Sequence, residues 1–500
     1  MSAMIAQQGI LTHKGYAVPK TALNTAETLH MKKVLTVTPK AAPGFAAKVA
    51  PFKVYLESAS RWYLPRPWAE KKYGKAGGDA MSEGSTLREE LVFTGNPRDH
   101  QISAIKAFQD AGNCGILCLP CGYGKTFTAI AIAAQLKRRF LVVVHKEFLV
   151  DQWSGELRAL MPGIRIGRIQ GERCDIGEEF DVSIAMIQTI CSRTYPTGVF
   201  AGFGLAIFDE AHHLGAEHFS QTLQRIQCKA MLGLTATPQR TDGLTKVFEW
   251  FLGPIVFQIA KRDEDTSVRV EALRYTSADR EYAEAPLDWK GEVVRARLLN
   301  QIAEYKPRTK AIIDWVQTHL KAEEARKLLI LSDRRDHLIA FEEGFRALGH
   351  TSIGYYVGQM KQSELDKSAQ CRIILATYAM AAEGFNVPTL NAVLLATPKS
   401  NVEQSVGRIL RQRPEERLVA PLILEVVDVV HTGCYAQWSK RQKFYKSCGY
   451  GISWYSESPT NTNTNPEEHE MDEEAETKPK QCLISEKDCC DSVCPECINV

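Results

Sequence analysis

Ten short apolar runs, in two series of five, decide most of what this chain can become. The first series is "CGILCL", "RFLVVVH", "DVSIAMI", "GLAIFDE" and "KAMLGLTAT"; the second is "KLLILS", "HTSIGYYV", "CRIILATY", "LNAVLLATP" and "VAPLILEVV". Helix-patterned stretches separate the runs. A strand that is apolar on both faces needs cover on both faces, so these runs predict parallel sheets wrapped by helices. Their spacing predicts two separate α/β domains, over 95–265 and 305–455. The polar, helix-prone stretch 266–304 reads as a connector. Residues 1–94 lack the alternation and read as a small N-terminal accessory domain. Residues 456–480 are polar, acidic and Pro-containing, so 456–500 reads as a disordered acidic tail.

Composition narrows the function classes. The net charge of +2 hides a segregation: residues 456–500 hold 12 acidic and 3 basic side chains, which leaves 58 basic and 47 acidic before them. A basic body suits a polyanionic partner such as nucleic acid, although an ordinary basic enzyme fits the charge equally well. No run of eighteen apolar residues is present, which argues against a membrane span. The N-terminus lacks a basic region followed by an apolar core, which argues against secretion. Most of the 14 cysteines stand singly in apolar runs, as do Cys114, Cys118 and Cys228. That pattern reads as reduced thiols of a soluble intracellular protein.

In "CGILCLPCGYGKTFTAIAIAAQL" an apolar run turns through Pro120, Cys121, Gly122, Tyr123, Gly124, Lys125 and Thr126 into a helix. Gly122 and Gly124 let backbone N–H groups curve around phosphate, and the helix N-terminus adds its positive dipole. Lys125 is placed to reach the β- and γ-phosphates of ATP, and the Thr126 hydroxyl to ligate Mg²⁺. The common pattern G-x-x-x-x-G-K-[ST] has glycine where this chain has Leu119, yet a strand before and a helix after are the context of a nucleotide site. In "GLAIFDEAHHL", Asp209 can hold Mg²⁺ through water while Glu210 polarises the water that attacks the γ-phosphate. His212 suits neither task and reads as a polar link toward the second domain.

Pro-x-Gly-x-Gly-Lys-Thr, Asp-Glu-Ala-His and "LTATPQR", in this order, resemble the motifs of superfamily 2 helicases of the DEAH/DExH type. In that superfamily the leading glycine is commonly absent, which accounts for Leu119. The resemblance implies two tandem RecA-like domains that use ATP and Mg²⁺ and act on nucleic acid. It gives Thr235 and Thr237, with His212, to coupling hydrolysis with strand movement. It gives Gln101, in "NPRDHQISAI", to reading adenine; a helix-surface glutamine is the competing reading. "EQSVGRILRQRP" resembles the family's Q-x-x-G-R-x-x-R, which singles out Gln404, Gly407, Arg408 and Arg411. Two arginines three apart fall on one helical face, from which they would point across a cleft at the γ-phosphate. An arginine finger is worth about 10³–10⁵ in rate, so hydrolysis would require the domains to close.

"ATYAMAAEGFNVPTL" resembles motif V, with Thr377 on a nucleic-acid phosphate and Glu383 and Gly384 at the nucleotide edge. Asn386 stands where many relatives carry Asp; it keeps a carbonyl acceptor for ribose hydroxyls but loses the charge. Lys146 in "VVHKEFLVDQW", with Gln188 and Thr189, occupies positions that suit backbone-phosphate contacts or a structural part. Many RNA-directed relatives have "SAT" and "GRxGR" where this chain has "TATP" and "GRILR". These forms resemble the XPB and UvsW group and the helicases of large nucleocytoplasmic DNA viruses, and "TATPQRTDGLTKVFEWFLGP" and "RWYLPRPWAEKKYG" resemble the viral group especially. That implies a DNA-dependent ATPase of replication, repair, recombination or transcription, cytoplasmic, nuclear or packaged in a virion. RNA is the alternative substrate, and an ATP-driven sensor or clamp that does not unwind is the alternative class.

Two segments leave more than one reading open. Tyr55, Trp62, Tyr63 and Trp68 are interleaved with Lys53, Arg61, Arg66, Lys71 and Lys72. They read first as the core of a small domain and second as an accessory DNA grip. In the tail, Cys482, Cys489, Cys490, Cys494 and Cys497 contain a single Cys-x-x-Cys, which makes zinc a minority reading. The tail's acidity suits protein partners.

Overall fold

The first series of apolar runs assembles into an eight-stranded sheet in a computed structural model of the chain. It describes residues 2–38, 50–209, 216–236, 245–260, 264–382, 387, 389–410, 412 and 416–455. The strand order is Arg173–Cys174, Ile166–Gln170, Val182–Met186, Phe140–Val144, Leu205–Phe208, Ala230–Thr235, Cys114–Cys118 and Ile255–Gln258. Every pair is parallel except the two-residue strand at the edge. All five residues of Phe140–Val144 and all six of Ala230–Thr235 are buried, as helices on both faces of a parallel sheet require.

The second series forms a seven-stranded, wholly parallel sheet: Ile353–Tyr356, Ile373–Thr377, Leu328–Ser332, Ala392–Leu395, Leu422–Asp428, Arg269–Tyr275 and Gly451–Trp454. Here the expected connector 266–304 needs correction. Its first part, Arg269–Tyr275, is a strand of this sheet, registered against Leu422–Asp428 over seven residues. Val270 and Ala272 are fully buried while Arg269 lies exposed, so the period-2 pattern is real but carries charges at alternate positions. Those charges made a sheet strand read as polar linker. The two sheets give the α/β fold with two RecA-like lobes.

A third, small sheet lies N-terminal to both. Its order is Leu56–Glu57, Arg61–Leu64, Gly15–Pro19, Ile10–Thr12 and Gly78–Asp79, flanked by the helices Ser2–Gln8, Thr25–Val34 and Arg66–Tyr73. Its core is continuous with that of the first lobe: Trp62, Leu64, Ala69 and Tyr73 belong to one buried cluster with Ile116, Phe208 and Phe251. Tyr55 and Trp62 are buried edge to face, 5.9 Å apart, so these aromatics are core. Lys20 and Lys32 lie over the Trp62 ring at 4.6 and 4.8 Å. Among the described residues no disulfide joins two cysteines, and no helix is long and apolar enough to cross a membrane. Residues 456–500, including the tail cysteines, lie outside the described residues.

Candidate active site

The strand Cys114–Cys118 brings the chain to the C-terminal edge of the first sheet, where open parallel sheets bind ligands. Leu119 continues the ladder: its N–H donates to the Thr235 carbonyl at 3.0 Å, and its side chain is fully buried. It is not among the residues with positive φ, so nothing at this position demands glycine. The turn closes through Tyr123 N–H to the Pro120 carbonyl, 3.3 Å. Gly122 (φ 90°) and Gly124 (φ 75°) supply left-handed backbone that a side chain would strain. Gly124 is also the N-cap of the helix Lys125–Leu136, whose dipole points its positive end at the loop.

Gln101 is 4% exposed and its amide is used at both ends. Its Oε1 accepts from the Arg98 N–H at 2.8 Å, and its Nε2 donates to the Tyr123 carbonyl at 3.2 Å. A Cβ on Gly124 would fall 2.3 Å from that Nε2, so Gln101 braces the loop from behind. His100 adds a second contact to the Tyr123 carbonyl at 3.1 Å. These contacts place Gln101 beside the nucleotide loop, as a buried strut rather than as a helix-surface residue.

Asp209 follows the strand Leu205–Phe208, two strands from Cys118 with Ala230–Thr235 between them. It is 6% exposed, and its Oδ2 accepts from the Trp153 indole N–H at 2.8 Å. Trp153 is buried on the helix Glu147–Leu160, so the indole fixes the carboxylate's direction. Sequence reading passed over Trp153. The signal was a tryptophan in "VVHKEFLVDQW", where a buried indole needs an acceptor for its N–H. Thr126 lies half-buried in the first turn of the loop helix, and Thr235 is buried at the end of its strand. Glu210, His212 and Thr237 lie outside the described residues.

The second lobe meets this edge. A Cβ on Gly122 would sit 3.7 Å from the Gly407 carbonyl oxygen and 3.9 Å from that of Leu410. Beside this contact a cleft of about 260 Å³ is lined from one lobe by Pro120, Cys121 and Gln258 and from the other by Asn401, Glu403 and Gln404. Arg408 is 6% exposed, and its Nε donates to the Ala381 carbonyl at 2.8 Å within its own lobe. The expected single helical face for Arg408 and Arg411 is not met at Arg408. The helix spans only Glu403–Val406, and Arg408 follows in a turn closed by i→i+3 bonds to Ser405 and, from Ile409, to Val406. Gly407 is a poor helix residue, and its carbonyl faces the other lobe's loop. Arg411, Glu383, Gly384 and Asn386 lie outside the described residues.

The remaining expected contacts stand elsewhere on the two sheet edges. Lys146 is the N-cap of the helix Glu147–Leu160. Gln188 Nε2 donates to the His145 carbonyl at 2.8 Å, joining the two neighbouring loops. Thr189 is 8% exposed and its hydroxyl accepts from the Gly171 N–H, a structural use of that side chain. Thr377 ends the strand Ile373–Thr377, registered against Ser332.

The family model described as "Type III restriction enzyme, res subunit" matches residues 94–240. A protein of Acanthamoeba polyphaga mimivirus, with the working designation of ATP-dependent RNA helicase, is 32% identical over 456 residues, covering 89% of this chain and 86% of its own. The DNA 3'-5' translocase XPB2 of Sulfurisphaera tokodaii is 27% identical over 367 residues, covering 65% of this chain and 81% of its own. Among solved structures, the Hef helicase domain of Pyrococcus furiosus aligns with a TM-score of 0.46 at 16% identity, over 69% of this chain and 98% of that one.

Proposed function

The chain belongs to the superfamily 2 helicases, and from that premise we propose that it hydrolyses ATP between its two lobes to move along or unwind DNA. The observation that carries the reading is the split site. The loop 119–124, Asp209 and Thr235 share one sheet edge, and Gln404 with the Gly407 and Leu410 carbonyls faces the loop from the other lobe. We assign 95–265 to the first lobe and 266–455 to the second, since Arg269–Tyr275 is part of the second sheet.

Lys125 and the loop N–H groups hold the phosphates, and Gln101 keeps the loop in shape to do so. The residues also fit Mg²⁺, which usually takes one or two carboxylates plus substrate phosphates: Trp153 aims one oxygen edge of Asp209, and Thr126 lies at the same sheet edge. When bound, the ion would neutralise phosphate charge in the transition state. Glu210 then takes the proton of the attacking water, and Arg408 and Arg411 stabilise the charge that develops, once the lobes close. Thr235 is coupled to the loop through the Leu119 N–H, so a shift at the phosphates is passed to the neighbouring strand end.

DNA is the first substrate choice on the strength of the "TATP" and "GRILR" motif forms and of the translocase relative. RNA is the second reading, favoured by the designation of the mimivirus relative. ATP turnover measured with no nucleic acid, with forked DNA and with forked RNA tests both. Stimulation by DNA above RNA is expected; the reverse order selects the RNA reading. Equal rates under all three conditions overturn the motor.

A further inference from the structure

Trp289 is 87% exposed, the most water-exposed of the chain's described large apolar side chains apart from Leu418. Tryptophan is usually well buried, so its full display on a built element calls for a partner. The element is a short hairpin. Leu287 bridges Val293, Val294 N–H donates to the Pro286 carbonyl, and Gly291 supplies the positive φ of 82° that closes the tip. Asp288 locks it: its Oδ1 accepts from the N–H groups of Lys290 (2.8 Å) and Glu292 (3.0 Å), and its own N–H donates to the Glu292 carbonyl. The tip is therefore held in place before anything binds, which lowers the entropy cost of contact.

The exposed charges around the ring are of both signs, with Glu284, Asp288 and Glu292 on the hairpin side and cations beside the ring and on the next helix. The Lys290 ammonium lies 4.7 Å from the Trp289 ring centroid, and Arg295 and Arg297 are exposed on the helix that follows. The hairpin's root is tied to the C-terminal edge of the second sheet. Arg334, just past the strand Leu328–Ser332, donates to the Ala296 carbonyl at 3.2 Å and to Asn300 Oδ1 at 2.5 Å. Ser332 is registered against Thr377, which the family resemblance gives to a nucleic-acid phosphate, so the helix that follows the hairpin is tied to the sheet edge where Thr377 ends its strand.

We propose that the hairpin 286–294 is a nucleic-acid contact in which Trp289 stacks on an unpaired base and Lys290, Arg295 and Arg297 meet the adjoining phosphates. The proposal rests on the helicase reading and adds a site to it. Stacking one base on an aromatic side chain is sequence-tolerant, so the hairpin would grip single strand or the mouth of a fork without reading sequence.

The test compares full-length wild type, Trp289→Ala and Trp289→Phe. It uses fluorescence anisotropy of a labelled single strand and 2-aminopurine quenching in a forked duplex. Trp289→Ala should weaken single-strand binding about tenfold and abolish the quenching, and Trp289→Phe should restore most of both. Because the side chain is exposed, the melting curves of all three should overlay. Equal affinity and quenching in wild type and Trp289→Ala overturn the hairpin's role and leave the helicase reading standing. A wild type that binds no nucleic acid overturns both.

Discussion

Trp153 is the residue through which the site is held together most visibly. Its indole N–H donates to Asp209 Oδ2 at 2.8 Å, and both side chains are buried. Trp153→Phe keeps the packing and removes the donor, so the carboxylate should lose its fixed direction. Outer-shell changes of this kind typically cost about 10–100-fold in metal affinity or activity. The expected result is a higher Mg²⁺ requirement for ATP turnover, with nucleotide affinity near wild type, read by titrating Mg²⁺ in the ATPase assay. An unchanged Mg²⁺ profile would make Trp153 core only. By contrast, Lys125→Ala should abolish turnover, and Glu210→Gln should bind ATP yet hydrolyse about 10³-fold more slowly; retained hydrolysis would show that another group takes the proton. At this scale the sequence was readable wherever a motif fixes both residue type and spacing, as at 120–126 and 209. It was not readable where a role depends on contacts between distant elements. Trp153 meets Asp209 across 56 positions of sequence, and Gln101 braces Tyr123 across 22.

Elements were legible in proportion to how completely they are buried. The ten apolar runs all became sheet strands, because a strand covered on both faces must be apolar throughout. The strands of these two sheets that escaped lie toward the margins. Ile166–Gln170 and Arg269–Tyr275 interleave polar or charged residues with apolar ones, Ile255–Gln258 and Gly451–Trp454 are four residues long with none buried, and Arg173–Cys174 has only two residues. Junctions between elements were equally hidden, and one of them titrates. At the turn from Leu328–Ser332 into the helix Arg335–Ala347, the Ser332 hydroxyl accepts from the Arg334 N–H and bonds His337 Nδ1 at 3.1 Å. Burial, with the nearby Arg308 charge, pushes His337 from its ordinary 6.5 down to about 3. A folded-state pKa below the unfolded one gives stability that is fully present above pH 6.5 and is lost as pH falls toward 3. The arithmetic predicts a loss of about 2 kcal/mol between pH 7 and pH 5 from this group. Urea midpoints at the two pH values check it: His337→Gln should be weaker at pH 7 but should lose less on acidification. Equal pH sensitivity in both proteins would place the acid response elsewhere. Asp181 cannot mimic it in that window. Burial alone would raise its pKa, but hydrogen bonds from Arg165 and Arg88 hold it at about 2, so its contribution fades only below its ordinary 3.8.

For the whole molecule, the question is whether the N-terminal sheet is a separate domain or part of the motor. Composition argued for separation, because residues 1–94 lack the strand–helix alternation of the rest. Packing argues for integration. The buried cluster runs without a break from Tyr16 and Trp62 to Phe208 and Phe251, and Arg66 is driven through it with 7% exposure. The Arg66 guanidinium donates twice to the Lys229 carbonyl, both at 3.0 Å, and also contacts Cys114, at the start of the nucleotide-loop strand. Lys229 in turn pairs with Asp79 and Glu83. A buried guanidinium held by a carbonyl is expensive to disturb, since truncation leaves the acceptor dry and a cavity behind. Arg66→Ala should therefore cost about 2–4 kcal/mol, and the two pictures differ in where that cost appears. An independent accessory domain would melt on its own, so calorimetry would resolve an early transition and leave the motor's transition in place. An integrated sheet has no such freedom: a single transition for the sheet and first lobe should move to lower temperature together. ATP with Mg²⁺ should raise that same transition in wild type, because ligand bound at 119–126 stabilises whatever unfolds with it. A separate N-terminal transition that ignores ATP would show the sheet to be an appended module, and its lysines over Trp62 would then be an accessory surface rather than part of the motor's frame.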